Sequence, residues 1–139
     1  MQEDNLIVKK TFEFSLSIIE LFKNLKSNNE YVLSKQLLRS GTSIGANVNE
    51  ATAAQSKKDF IHKMAIASKE ARETKYWLKL LNASKLGNID CDEEINEISS
   101  IINILTKIVK TSQENLKFNI KKLPWKQQKK KYYEEVNFW

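Results

Sequence analysis

The chain has 139 residues, 41% of them hydrophobic and 29% charged, which suits one domain with a buried core and falls short of two ordinary ones. Three glycines and one proline are too few for the tight turns of an all-β or doubly wound fold. The formal charge of +6 is unevenly placed: residues 1–116 hold 16 Lys+Arg against 15 Asp+Glu, and residues 117–139 hold seven Lys against two Glu, so a nearly neutral body precedes a basic C-terminal segment.

The first helix is expected from about Asn5 to Lys26. Ile7, Phe14, Ile18, Leu21, Phe22 and Leu25 recur at helical spacing, with Val8, Phe12 and Ile19 on the flank. At about 100° per residue these cover more than half the circumference, so the helix should touch two neighbours or more. Ser27-Asn28-Asn29 breaks the pattern with turn-forming residues.

The second helix is expected over about Glu30 to Ala54. Leu33, Leu37, Ile44, Val48 and Ala51 form its apolar stripe, and Gln36, Ser40, Ser43, Asn47 and Glu50 form a polar one beside it. Those steps alternate four and three, the rhythm of a packed seam. Gly41 and Gly45 each cost a helix interior about 1 kcal/mol relative to Ala. They point either to another backbone passing close by or to a local break near Ser40-Gly41-Thr42-Ser43.

The third helix opens on Ser56, with Asp59 three residues later in the manner of a capping box. Phe60, Met64, Ala67, Ala71, Thr74, Leu78 and Leu81 then give the clearest periodicity in the chain. Beside them lie Ile66, Glu70, Glu73 and Trp77. Gly87 is a natural residue to follow the helix end. Asp90 and Glu93 signal the start of the fourth helix, which carries Ile98, Ile102, Leu105, Val109 and Leu116 and is expected to reach about Ile120. Pro124 forbids further extension. Short connections favour antiparallel sequential neighbours. The expected fold is therefore all-α: an antiparallel up-and-down four-helix bundle over residues 1–120, with a basic aromatic tail over residues 121–139 that carries no sustained helical stripe and is expected to be weakly ordered in isolation.

Several functions are disfavoured. One cysteine, Cys91, cannot form a disulfide within its own chain, and with one histidine, His62, it falls short of the several Cys or His that a four-ligand zinc site normally needs. Di-iron bundles need two Glu-x-x-His motifs, whereas this chain has only Asp59-x-x-His62. No metal, cofactor or catalytic residue is expected. Glu70 and Glu73 at i and i+3 lack any nucleophile or phosphate-binding loop beside them in sequence. The polar start Met1-Gln2-Glu3-Asp4-Asn5 does not suit a signal peptide, and no run of about 18 apolar residues would span a membrane. The expected address is cytoplasmic.

Two candidate sites remain. Arg39, Ser40, Ser43, Asn47 and Glu50, with Glu70 and Glu73, form an expected structural network between helices or subunits, in which Arg39 pairs with Glu70 or Glu73. Lys117, Lys121, Lys122, Lys126, Lys129, Lys130 and Lys131 contain no acid among them and are joined by Trp125. Lysines neutralise phosphates and aromatic rings stack on bases, so this segment is the expected contact for RNA or DNA.

Three stretches carry a family resemblance. They are Leu33-Ser34-Lys35-Gln36-Leu37-Leu38-Arg39-Ser40-Gly41-Thr42-Ser43-Ile44-Gly45-Ala46-Asn47, Gln55-Ser56-Lys57-Lys58-Asp59-Phe60-Ile61-His62-Lys63, and Ala67-Ser68-Lys69-Glu70-Ala71-Arg72-Glu73-Thr74-Lys75-Tyr76-Trp77-Leu78. Together they resemble the bacterial four-helix-bundle proteins encoded within intervening sequences of 23S rRNA genes, over roughly residues 5–120. The resemblance implies a bundle that assembles into a ring, commonly a homopentamer, and implies no established activity. A related bundle is the accessory protein of diversity-generating retroelements, which associates with a reverse transcriptase and nucleic acid. That relative is strongly basic across its body, whereas the body here is near neutral. The expected function is that of a non-enzymatic, oligomeric protein that contacts nucleic acid through lysines. The alternative is an adaptor or accessory subunit to a polymerase-type protein.

Overall fold

The structure is a computed structural model and describes residues 5–117 and 124–137. Five α-helices follow one another: α1 (Leu6–Ser27), α2 (Leu33–Thr52), α3 (Lys57–Ser84), α4 (Asp92–Lys117) and α5 (Trp125–Asn137). α1 packs on α2 and α4, and α3 packs on the same two, so the first four helices close an up-and-down bundle. Among the described residues there is no strand, and no helix is long and apolar enough to cross a membrane.

The helix starts follow from local chemistry. The Asn5 side chain accepts from Ile7 N at 3.1 Å, and Ser56 Oγ accepts from Asp59 N at 3.1 Å. α2 uses a longer reach. Glu30 Oε1 accepts from Val32 N (3.1 Å) and Leu33 N (2.9 Å), and its Oε2 accepts from Ser34 N (2.7 Å). A carboxylate here also faces the positive end of the helix dipole. Burial works against that charge, but the hydrogen bonds from Leu33, Ser34 and Val32 outweigh it and hold the Glu30 carboxyl below its ordinary range.

The expected apolar stripes meet in one core. Phe14, Ile18, Leu25, Leu37, Ile44, Phe60, Met64, Leu78, Leu81 and Ile98 are all fully buried or nearly so. α2 runs unbroken through its glycines. A Cβ on Gly45 would lie 3.2 Å from the Thr11 carbonyl oxygen, and one on Gly41 would lie 2.9 Å from Ile18 Cγ2. The glycines therefore mark close approach of α1, not a break.

Two expectations are corrected. Helix α3 ends at Ser84, and Lys85, not Gly87, takes the left-handed position that stops it, with φ of 57°. Gly87 follows two residues later, also at positive φ. The second concerns the helical pattern of the tail: Trp125–Asn137 form helix α5, which docks on the bundle. Trp125 and Tyr133 pack edge-on against Phe60, with ring centroids 5.5 and 5.6 Å away. Trp125 Nε1 donates to the Ala54 carbonyl at 2.8 Å. The docking face is short, with Trp125, Lys129 and Tyr133 four residues apart. It has no aliphatic run to reveal it, and its partner, Phe60, lies far away in sequence. The expected end of α4 near Ile120 and the boundary between residues 120 and 121 lie outside the described residues.

Candidate functional site

The α2–α3 seam gathers the expected network, in a different arrangement from a single fork. Arg39 divides its guanidinium between two carboxylates. Its NH1 lies 3.3 Å from Glu70 Oε2, and its NH2 donates to Glu73 Oε2. Trp77 Nε1 also donates to Glu73 Oε2, at 3.3 Å. Beneath this cover, Ser40 and Thr74 are fully buried and their hydroxyls lie 3.0 Å apart. Thr74 also reaches the Glu70 carbonyl at 2.8 Å. A buried hydroxyl pair costs little only when both members are satisfied, so this contact fixes the register of α2 against α3.

The rest of the polar stripe divides. Ser43 donates to the Ser40 carbonyl (2.9 Å), and Asn47 donates to the Ser43 carbonyl (2.8 Å). Both bonds stay within α2 and join no neighbour. Glu50 pairs with Lys63 of α3 at 2.9 Å. That hydrogen bond and charge hold the Lys63 ammonium above its ordinary range. Lys63 is absent from the expected network, although a basic residue on the α2-facing flank of α3 is a readable signal. Gln36, the remaining member of the stripe, is exposed.

The expected nucleic-acid residues are distributed unequally. Trp125 is half-buried against Phe60, and Lys129 donates to the Thr52 carbonyl at the end of α2. Burial lowers the Lys129 ammonium from its ordinary range, with Lys126 adding to the effect. These two residues anchor α5. Lys126 and Lys130 are exposed, with Lys130 3.8 Å from Glu134. Lys117 ends α4 and Lys131 lies within α5. Lys121 and Lys122 lie outside the described residues.

Cys91 is fully buried at the start of α4, and its backbone N–H donates to Asn82 Oδ1 at 2.7 Å. Burial, with Glu94, Asp90 and Asp92 nearby, pushes its thiol up to about 11. A thiol held in that range is a poor nucleophile at neutral pH. Glu94 is raised by burial and by the charges of Glu93 and Asp90, and its Oε2 is buried without a hydrogen-bond partner. His62 is exposed. Among the described residues no three His, Cys, Asp or Glu side chains gather in a metal-holding cluster.

The geometry defines a four-helix bundle with a polar inter-helix seam and a docked basic fifth helix. The chain belongs to the family of 23S rRNA-intervening sequence proteins, whose family model matches residues 3–111. It is similar to the solved structure of a protein with unknown function from the S23 ribosomal protein family of Bacteroides thetaiotaomicron. The two share 45% identity and a TM-score of 0.72, covering 76% of this chain and 99% of that one. No curated protein matches. Both matches stop short of the whole chain, and the family match ends before α5 begins.

Proposed function

We propose that this chain is a non-enzymatic, self-assembling bundle of the cytoplasm that contacts RNA through exposed lysines. The observation that carries the reading is the division of labour on α5. Trp125, Lys129 and Tyr133 hold one face to the bundle, while Lys126 and Lys130, four residues apart, keep their ammonium groups toward solvent. A basic face presented on a fixed helix loses less freedom on binding than a loose tail does. Assembly into a ring would present several such faces together and strengthen a weak contact.

Self-association draws on a second observation. Phe12, Leu16 and Ile19 are 65%, 51% and 36% exposed, and their spacing of four and three places them on one stripe of α1 facing away from the core. Large apolar side chains grouped on a surface mark contact sites. The same stripe favours a second reading, an adaptor docking on a polymerase-type protein. Native mass spectrometry separates the two. The proposal expects an oligomer that Leu16→Asp dissociates. A wild-type monomer would transfer the stripe to another partner.

The nucleic-acid part is tested by fluorescence anisotropy with single-stranded RNA over a salt series. The expected result is binding that weakens steeply with salt, and weakens further in a Lys126→Gln, Lys130→Gln variant. Absence of binding at low salt would overturn it.

A further inference from the structure

Helix α3 carries its charges asymmetrically. Counted at about 100° per residue from its buried stripe, Asp59, Glu70 and Glu73 fall on the flank toward α2. Arg72, Lys75 and Lys79 fall on the flank toward α4, with no acid of α3 among them. α4 answers with Thr106, Lys110 and Gln113 on its own α3-facing flank. Between them runs an open groove of about 260 Å³, lined by Ser68, Arg72, Thr106, Lys110 and Gln113 among others. Arg72 NH2 donates to Thr106 Oγ1 at 3.2 Å, so the guanidinium is steadied across the groove by a neutral hydroxyl.

The cations here are uncompensated. Arg39 and Lys63, on the other flank, sit against Glu70, Glu73 and Glu50. Among the described residues Arg72, Lys75, Lys79 and Lys110 have no carboxylate within 4.0 Å. The near-neutral charge of the body thus conceals a basic strip. Arg72 and Lys79 are two helical turns apart, about 10 Å along the axis. Along the axis Tyr76 falls between them, on the outer face of α3 outside the groove, 59% exposed and with its ring packed edge-to-face against Trp77 at a centroid distance of 5.2 Å.

We propose that the α3–α4 groove is a track for the sugar–phosphate backbone of single-stranded nucleic acid. Arg72 and Lys110 take phosphates from opposite walls, and Ser68 and Gln113 supply neutral donors, while the Thr106 hydroxyl, which donates to the Ile102 carbonyl at 2.7 Å, only steadies Arg72. Tyr76, on the outer face of α3 one turn beyond Arg72, offers a ring on which a base leaving the groove stacks. Basic groove and steadied aromatic ring together are what an unpaired strand needs. An anionic membrane would call for a stripe of large exposed apolar side chains beside the cations, whereas here Tyr76 stands alone and the groove wall adds only the half-buried Val109. The proposal rests on the reading that the chain binds nucleic acid, and moves the main contact from α5 to the body of the bundle.

The test uses the full chain and a fluorescein-labelled oligouridylate of about 12 nucleotides, a length within the usual range for one such site. Anisotropy is recorded at several salt concentrations. Arg72→Gln with Lys110→Gln should weaken binding about 10-fold or more and flatten the logarithmic salt slope by about 1.4, or about 0.7 for each phosphate no longer neutralised. Tyr76→Ala should weaken binding about 5-fold or more with the salt slope unchanged, because stacking releases no counterions. Unchanged thermal melting of each variant shows that the bundle is intact. If the groove variant binds like wild type while Lys126→Gln, Lys130→Gln does not, the groove proposal fails and the α5 reading stands. If wild type binds no oligonucleotide, both fail. Binding confined to phosphatidylserine vesicles would likewise overturn both.

Discussion

The two flanks of α3 are built from similar residues and do opposite things. Toward α2, the cations at the seam have partners: Arg39 with Glu70 and Glu73, and Lys63 with Glu50. Toward α4, Arg72, Lys75, Lys79 and Lys110 have no such partner among the described residues. Paired charges fix how two helices meet. Unpaired charges are free to bind something else, at some cost in mutual repulsion. The comparison teaches that net charge is a poor guide to a binding surface when opposite charges are sorted onto different flanks.

The largest effect is expected where both flanks join. Ala71 is fully buried on the central stripe of α3, between the helices on either side. Ala71→Leu adds three carbon atoms to a packed interior, and overpacking of this kind costs about 1–3 kcal/mol. Urea denaturation followed by circular dichroism would show a lower midpoint. An unchanged midpoint would mean that the spine of α3 has slack, and that the two flanks are not held apart by it.

Acid should then discriminate between the starts of the two helices that α3 packs against, α2 and α4. The Glu30 carboxyl, which starts α2, lies below its ordinary range in the folded chain. Its contribution is therefore complete above the unfolded value of about 4.3 and is lost as pH falls through the folded value. Glu30→Gln should cost about 1–2 kcal/mol at pH 7, in the range of a lost helix cap with charge-assisted bonds. The difference from wild type should shrink below about pH 4, as the wild-type carboxyl takes up its proton. A difference independent of pH would assign the loss to shape instead of charge. Glu94 makes the contrast: its carboxyl is raised, so its ionised form opposes folding and the opposition fades as pH falls.

Within the paired flank, Thr74→Val keeps the shape and removes the hydroxyl that meets Ser40 and the Glu70 carbonyl. A loss of about 1 kcal/mol is expected, since the Ser40 hydroxyl remains buried and loses a partner. Arg39→Met should cost less, about 0.5–1 kcal/mol, because the guanidinium is half exposed and water screens it. If Arg39→Met proved costlier than Thr74→Val, the ion pairs and not the hydroxyls would be what holds α2 in register.

Much of this architecture is legible in the chain. The four-and-three steps of Phe60, Met64, Ala67, Ala71, Thr74, Leu78 and Leu81 mark the spine of α3, and all seven are buried. Gly45 signals a close backbone, which proves to be that of α1 at Thr11. The pairing of Arg39 is legible too, though not its division between two carboxylates, because spacing along one helix does not say where the facing helix stops. The docking of α5 is not legible, because aromatic contacts over some 70 residues leave no periodic trace. Nor is the basic strip around the groove, which draws Arg72, Lys75 and Lys79 from α3 and Lys110 from α4. No segment containing them is basic enough to stand out.

The smallest effect on stability is expected on the unpaired flank, and its smallness is the point. Arg72 is exposed and donates across the groove to one neutral hydroxyl, that of Thr106. Arg72→Gln should shift stability by no more than about 0.5 kcal/mol, as for surface positions away from special features. Relief of repulsion with Lys75 and Lys110 offsets part of any loss. A shift of that size in a denaturant melt, set beside the larger loss for Arg39→Met, would show that one arginine of the pair serves the fold and the other does not. A loss as large as that of Arg39→Met would mean that Arg72 ties α3 to α4. The two flanks would then differ only in the charge of their partners, and the free cations would lose their distinct meaning.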